Sequence, residues 1–208
     1  MERTDDLVSV NKKLERVAED EVILSRLLQI SLSITSLDAY LNAALEMLTD
    51  TVEWFKGKKN ACIFLLKNDG EQPLLEMVAG INVSEERIKT CSLLPLGTCL
   101  CGEAAASRSV VYAATVDERH HIKPETDEQH GHYCVPIEKE DEVLGVLMLQ
   151  LPEGHKSTDH ELLFLKRIAD ILSMGISRHQ AEDEIEYYAY HDPLTNLPNR
   201  RMLLDRLN

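Results

Sequence analysis

No run of apolar residues in this 208-residue sequence approaches the roughly 18 that a helix needs to cross a bilayer. The first residues, Met-Glu-Arg-Thr-Asp-Asp, lack the apolar core of a secretory signal peptide. Positive charge is also scarce: 22 Lys and Arg face 36 Asp and Glu, which gives a net charge of −14 at pH 7. Nucleic acids and anionic membranes attract positive surfaces, so neither is expected as the main partner. These absences predict a cytoplasmic protein.

Familiar catalytic motifs are missing as well. The sequence has no glycine-rich phosphate loop, and no Ser-His-Asp arrangement can be argued from it. Hydrophobic residues make up 44% and charged residues 28%, which is the balance of an ordinary globular domain. A chain of 208 residues suits one domain with helical extensions better than two complete domains.

Hydrophobic periodicity predicts helices toward both ends of the chain. Apolar residues recur at helical spacing over residues 7–32, and a second helix starts near Ser36, a favourable N-cap. Thr158-Asp-His-Glu161 is a capping-box sequence that opens a long helix. That helix carries an apolar stripe, which includes Leu165, Ile168, Leu172 and Ile176. We predict a parallel homodimer built from the terminal helices, because part of this stripe would otherwise be exposed to water. The alternative is that the whole stripe packs against the sheet.

The middle of the chain has the short apolar runs and turn residues of a β-sheet. The predicted strands cover residues 61–66, 74–79, 110–113, 133–137 and 143–149. A short helix at 102–108 and a long polar loop at 115–131 lie among them. We therefore expect an α+β fold, in which N- and C-terminal helices flank an antiparallel sheet of about six strands.

Cysteine supplies the main chemical signal. The five cysteines are Cys62, Cys91, Cys99, Cys101 and Cys134. Structural disulfides are not expected in a reducing cytosol, so grouped thiols indicate a metal or redox site. Cys62 lies in an apolar strand and is expected to be an inert core residue. The other four are candidate cofactor-binding residues, because thiolates are strong ligands for zinc and iron.

Histidines offer a competing ligand set. In His130-Gly-His132-Tyr-Cys134, the residues at 130, 132 and 134 share one face if the segment is extended. The predicted metal ligands are Cys99, Cys101 and Cys134, with a fourth from Cys91, His121 or His132. Two alternatives stay open: buried thiols without chemistry, and a metal-free redox switch at Cys99 or Cys101.

The last residues carry the most specific motif. The sequence His191-Asp-x-Leu-Thr-x-Leu-Pro-Asn-Arg-Arg201 resembles the opening of a GGDEF (diguanylate cyclase) domain. That resemblance implies cyclic di-GMP formation from two GTP molecules with Mg²⁺, in a dimer. The Gly-Gly-(Asp/Glu)-Glu-Phe loop of the family has no counterpart in these 208 residues. We therefore expect this chain to be inactive as a cyclase.

The region before that motif is similar to a GAF domain over roughly residues 22–178. The resemblance rests on the order of hairpin, short helix, loop, Val135-Pro-Ile137 and Val143-Leu-Gly-Val-Leu147. It implies a domain that binds a small ligand or cofactor, or one that only dimerises. Some GAF-containing sensor kinases hold an iron–sulfur cluster on a comparable cysteine pattern, although the gap between Cys101 and Cys134 is long here.

Together the two resemblances predict the sensory region of a cyclic di-GMP signalling protein. Its expected parts are an N-terminal helix (1–21), a GAF-like domain (22–178), a helical linker (179–190) and the start of a GGDEF domain (191–208). The GAF-like part would sense a small ligand, a metal or the redox state, and would control the domain that follows.

Overall fold

The computed structural model describes residues 2–55, 60–68, 72–121, 129–192 and 194–205. The helices are α1 (Glu2–Ser33), α2 (Leu37–Thr51), α3 (Glu85–Cys91), α4 (Cys99–Ser107), α5 (Asp159–Tyr190) and α6 (Arg200–Asp205), with a short 3-10 helix at Glu53–Phe55. The strands are β1 (Ala61–Asn68), β2 (Pro73–Ile81), β3 (Leu93–Pro95), β4 (Val111–Ala113), β5 (His130–Lys139) and β6 (Glu142–Pro152).

The six strands form one sheet in the order β3-β2-β1-β6-β5-β4, and every neighbouring pair is antiparallel. This confirms the predicted α+β fold, with an antiparallel sheet and flanking helices. None of the helices in the described ranges combines the length and apolarity required to span a membrane.

The sheet separates two apolar cores, because successive side chains of a strand point to opposite faces. In β5, Tyr133, Val135 and Ile137 join the larger core, which α1, α2 and α5 cover. Cys134 points the other way, into a smaller core that lies under α4 and includes Phe64 of β1. The even-numbered side chains of β5, including His130 and His132, therefore lie on the α4 side of the sheet.

The helix starts follow the predicted caps. The hydroxyl of Ser36 accepts a hydrogen bond of 3.3 Å from the amide of Ala39 at the start of α2. At the start of α5, Thr158 and Glu161 form a complete capping box. Each bond satisfies an amide that the first helical turn leaves without a partner, so the sequence positions both helices.

The expectation that the α5 stripe is partly exposed was wrong. Leu165, Leu172 and Ile176 are fully buried and Ile168 is 1% exposed, because this face of α5 packs against the sheet and α1. The stripe therefore belongs to the larger core and offers no surface to a partner. Other apolar residues of the terminal helices are exposed, among them Leu7, Val10, Leu14 and Val17 on α1 and Leu163, Met174 and Ile185 on α5.

Several element boundaries also differ from the sequence predictions. The short helix α4 begins at Cys99, three residues before the predicted start, and β5 begins at His130 instead of residue 133. Helix α3 and strand β3 were not predicted. Part of the predicted loop, residues 122–128, lies outside the described residues.

The C-terminal motif forms a compact turn between α5 and α6. Oδ1 of Asp192 accepts hydrogen bonds from the amides of Leu194 and Thr195 and from the Thr195 hydroxyl, at 2.9–3.1 Å. These bonds lower the pKa of the Asp192 carboxyl. Asn199 accepts a bond from the Met202 amide in the first turn of α6 and donates one to the carbonyl of Ala189. The motif residues therefore fix the chain direction as it leaves α5.

Candidate functional site

A cavity of about 280 Å³ lies on the α4 side of the sheet. Strands β1, β2, β5 and β6 form its floor, and α3, α4 and the segment at His120 enclose it. Its lining holds thiols, imidazoles, one guanidinium and several amides. The lining residues whose side chains could react or bind a ligand are Cys91, Cys99, Cys101, Cys134, His120, His130, His132 and Arg87.

The four cysteines predicted to bind a cofactor all line this cavity. Cys91 ends α3 and is half-buried, Cys99 and Cys101 lie in the first turn of α4, and Cys134 is on β5. The sulfur atoms of Cys101 and Cys134 are 3.6 Å apart. Cys62 is fully buried in the smaller core, as its apolar surroundings in the sequence predicted.

The thiols of Cys62, Cys91 and Cys101 are held in their neutral form. The contact with Cys134, together with burial, raises the pKa of the Cys101 thiol well above its ordinary value. Burial also raises the pKa of Cys91, and it raises that of Cys62 to about 12. A thiol is a far poorer nucleophile and ligand than a thiolate, so these cysteines need a metal or a base to become reactive.

The backbone at Cys99 has an unusual conformation. Its φ is 57°, in the left-handed region, which disfavours residues other than glycine. The Cys99 amide donates a hydrogen bond of 3.0 Å to Nδ1 of His121. His121 is exposed and is not among the residues that line the cavity. His132, the other predicted histidine ligand, does line the cavity.

Three histidines meet inside the cavity. His120, His130 and His132 are all buried, and one ring nitrogen from each lies within 4.8 Å of the others. Their ring centroids are 4.7 Å apart for the pairs 120–132 and 130–132, and 5.7 Å apart for the pair 120–130. No three of the cysteines come within the same distance of one another in the part of the chain that the structure describes.

Local structure fixes these imidazoles in place. His130 and His132 are two residues apart on β5, so both point to the α4 side of the sheet. A Cβ on the intervening Gly131 would lie 2.6 Å from the Ala113 carbonyl oxygen, so only glycine allows this close approach to β4. His120 ends a turn in which its amide donates to the carbonyl of Asp117 at 3.0 Å.

An ion pair between Arg119 and Asp117 stabilises that turn. The guanidinium of Arg119 contacts the carboxylate of Asp117 at 2.6 Å and donates to the carbonyl of Tyr112 at 3.1 Å. The turn is therefore tied to β4, which holds the backbone just before His120 against the sheet.

The imidazoles of His120 and His132 are uncharged at neutral pH. Burial, with a further contribution from His130, lowers the pKa of His120 to about 4. Burial and then the charge of His120 lower the pKa of His132 well below its ordinary value. Neutral imidazole is the form that binds a metal ion through nitrogen.

A hydrogen bond to Gln150 holds the side chain of Arg87 at the wall of the cavity. Oε1 of Gln150 accepts hydrogen bonds from Nη1 of Arg87 at 3.0 Å and from Nδ2 of Asn60 at 2.9 Å. Gln150 is buried on β6, so the guanidinium from α3 is held over the sheet. Arg87 gives the cavity a positively charged wall that suits a polar or anionic ligand.

The sequence analysis placed His130 on one face with His132, but it included neither His130 nor His120 among the predicted metal ligands. The signal for His130 was present, since alternation along a strand places it beside His132. The adjacent histidines His120 and His121 carry no such signal, because only the turn at Asp117 decides which of them faces the cavity.

Comparisons with known structures show the same fold elsewhere. The GAF domain of a phosphoenolpyruvate-protein phosphotransferase from Coxiella burnetii has a TM-score of 0.68 at 19% identity, over 80% of this chain and 98% of that chain. The GAF domain of the Acinetobacter phosphotransferase gives 0.63 at 21% identity, over 76% of this chain and 93% of that chain. Free methionine-R-sulfoxide reductase from Neisseria meningitidis, in complex with its substrate, gives 0.65 at 18% identity, over 78% of this chain and 91% of that chain.

At these identities, the structural likeness establishes the fold alone. The comparison with curated proteins gave no match. At the level of sequence, the profile of the GAF domain matches residues 35–177, which is well over half of the chain. The six strands, helices α2, α3 and α4 and the first part of α5 lie within that match, and the chain belongs to the GAF domain family.

Proposed function

We propose that this GAF domain is the sensor of a cyclic di-GMP signalling protein. Its cavity receives a small ligand, a metal ion or a redox signal, and α5 carries the response to a GGDEF domain that begins at His191. The observation that carries the proposal is the position of β5, whose side chains alternate between the cavity and the core under the helices. His132 and Cys134 face the cavity, while Tyr133 between them faces the helices.

Tyr133 connects the cavity strand directly to the output helix. Its hydroxyl donates a hydrogen bond of 2.9 Å to Oε2 of Glu161, which belongs to the capping box of α5. The 32-residue α5 then runs to Tyr190, immediately before the GGDEF-like motif. A shift of β5 on ligand binding would change the contacts at the first turn of this helix. Since cyclases act as dimers, a small change in α5 would alter how two output domains meet.

The test uses the full-length product of the gene, called the parent protein below. Formation of cyclic di-GMP from GTP and Mg²⁺ is measured for the parent protein and for Tyr133→Phe, with Tyr188→Phe as the exposed control. We expect activity in the parent, and an altered response to metal or peroxide in Tyr133→Phe alone. A parent that makes no cyclic di-GMP contradicts the cyclase assignment, and identical responses contradict the route through Tyr133.

The thiols support two forms of signal. In the first, Cys99, Cys101 and Cys134 hold zinc or iron, with Cys91, His121 or His132 as fourth ligand, including as an iron–sulfur cluster. Four thiols that line one cavity support this set. Protein purified without oxygen from iron- and zinc-supplemented medium should then contain metal that Cys99→Ser lowers and Cys62→Ser does not. Less than about a tenth of an equivalent of either metal would count against it.

The second form of signal is a metal-free redox switch. The 3.6 Å between the sulfur atoms of Cys101 and Cys134 favours this pair. Hydrogen peroxide would oxidise the two thiols to a disulfide with release of two water molecules. Counting thiols before and after peroxide treatment should show a loss of two, which Cys101→Ser abolishes. An unchanged count would exclude the switch.

A GAF domain that only dimerises is the remaining alternative, and we propose a homodimer through the terminal helices in either case. On α1, Leu7, Val10, Leu14 and Val17 are exposed at spacings of three and four residues. This spacing is the pattern of a coiled-coil seam, and a second α1 would cover it. A dimer without metal, ligand or peroxide response would favour the alternative.

A further inference from the structure

We propose that His120, His130 and His132 form a binding site for one divalent transition-metal ion, with a coordination position open to the cavity. The proposal rests on the proposed role of this cavity as the receiver of a signal, and it assigns the ion to imidazoles instead of thiols. The site includes two residues, His120 and His130, that the cysteine set does not contain.

The distances fit a metal site that needs only small side-chain adjustments. In a tetrahedral site with metal–nitrogen bonds of about 2.0–2.1 Å, the ligand nitrogens lie about 3.4 Å apart. The three histidines already place one nitrogen each within 4.8 Å of the others. Ring rotations that move each nitrogen by less than about 1 Å would close the site.

Burial without hydrogen bonds is a second and independent observation. Nδ1 of His120 and both ring nitrogens of His132 have no hydrogen-bond partner among the residues that the structure describes. His132 is only 3% exposed. A buried polar atom without a partner costs free energy, and a metal ion would satisfy one such atom on each ring.

The protein also holds the site on supported backbone. His130 and His132 are the first and third residues of β5, and their spacing is fixed by the strand and by Gly131. The turn at Asp117 and Arg119 holds His120 over them. Metal ligands keep a precise geometry when they lie on rigid, well-packed segments of backbone.

The ligand type indicates the class of metal. Imidazole nitrogen suits zinc, copper, nickel and ferrous iron, and disfavours calcium and magnesium, which prefer oxygen. Three protein ligands and one open position are typical of zinc sites that accept an exogenous group. Three neutral imidazoles leave the double positive charge of the ion uncompensated, while Arg87 and Glu86 on α3 carry opposite charges. The open position is therefore expected to take a small anion.

The test follows Co²⁺ binding to the metal-depleted 208-residue chain by visible spectroscopy. We expect one equivalent to bind with the visible bands of tetrahedral Co²⁺ and without the near-ultraviolet charge-transfer band of cysteine thiolate. Zn²⁺ should displace it and raise Tm, because binding to the folded state alone stabilises that state. Adding azide should shift the visible bands if a position is open.

Matched variants separate imidazole from thiol binding. His120→Gln and His132→Ala should each weaken Co²⁺ binding at least about 100-fold, since even outer contacts of metal ligands contribute 10–100-fold. His160→Gln, Cys99→Ser and Cys134→Ser should retain it. Circular dichroism and Tm without metal verify that each variant is folded, and His120→Gln, in a loop, carries the conclusion if His132→Ala unfolds.

Two results would overturn the inference. Absence of saturable Co²⁺ and Zn²⁺ binding excludes the histidine site, while binding that Cys99→Ser abolishes, with a thiolate band, assigns the ion to the cysteines. Neither result decides the proposed sensory function, which depends on cyclic di-GMP formation by the parent protein and its response to the cavity. Conversely, if the parent protein had no cyclase activity, the inference of a histidine metal site would still stand.

Discussion

Tyr133 and Glu161 join the strand behind the cavity to the first turn of α5 by a hydrogen bond of 2.9 Å. The same carboxylate oxygen lies 3.0 Å from Nε2 of His155 and accepts the amide of Thr158 at 3.2 Å. Tyr133 is fully buried and Glu161 is 7% exposed. The start of α5 is therefore bonded to the residue between two cavity-lining side chains.

Removing this hydroxyl should destabilise the domain. In Tyr133→Phe, Glu161 keeps its other two partners, so we expect the free energy of unfolding to fall by about 1–2 kcal/mol. Urea denaturation followed by circular dichroism measures the change. Tyr188→Phe, at an exposed position on α5, is the control and should alter stability by less than about 0.5 kcal/mol. Equal midpoints for both variants would show that the Tyr133 bond contributes nothing to stability.

The cysteines should differ in their rates of alkylation. Cys91 is half-buried at the end of α3, whereas Cys62 is fully buried and its pKa is about 12. At pH 8 the higher pKa reduces the thiolate fraction of Cys62 about a thousandfold relative to an ordinary thiol. Iodoacetamide labelling read by mass spectrometry should modify Cys91 first and Cys62 last. Early labelling of Cys62 in folded protein would contradict its placement in the smaller core.

The proposed dimer should depend on α1. Leu14 is 61% exposed on the apolar face of this helix, so Leu14→Glu should shift a dimer toward monomer in sedimentation at tens of micromolar without lowering Tm of the domain core. Ile88→Glu makes the same change at an exposed position on α3 and is the control. Wild-type protein that sediments as a monomer would reject the dimer.

Charged replacements on the buried stripe should have a different result. Leu172 and Ile176 are fully buried, so Leu172→Glu should cost about 3 kcal/mol or more and unfold the domain instead of only separating subunits. The loss of far-ultraviolet circular dichroism measures this effect. If Leu172→Glu gave a folded monomer, the stripe would belong to a subunit interface and not to the core.

The 208-residue chain should not form cyclic di-GMP. It ends without the Gly-Gly-(Asp/Glu)-Glu-Phe loop that the resemblance assigns to catalysis. Incubation with GTP and Mg²⁺, followed by chromatography, should give no product above a blank without protein. Detectable cyclic di-GMP would mean that catalytic residues lie within this sequence.

The sequence predicted local features well, because they depend on neighbouring residues. Ser36 and the pair Thr158 and Glu161 cap helices through bonds that span three residues, so their spacing alone identifies them. The strands and their two-residue alternation were also recognisable. By contrast, β3 has only three residues and gains its stability from pairing with β2, which no local pattern reveals.

The site was only partly predictable, because it depends on how distant segments meet. Sequence reasoning grouped the thiols by spacing, yet the structure places the sulfur of Cys101 against Cys134 and gathers imidazoles elsewhere in the cavity. The choice of His120 over His121 depends on one turn. The burial of Leu172 could not be read from an apolar stripe, since stripes that meet a sheet and stripes that meet a partner have the same period.

The two-sided role of β5 limits how the length of this strand can vary. Deleting one residue between His132 and Val135 would reverse the facing of every residue on one side of the change. Imidazoles would then enter the apolar core of the helices, or Tyr133 would leave Glu161. Substitutions can alter what this domain recognises, but an insertion or deletion of a single residue here would separate recognition from response.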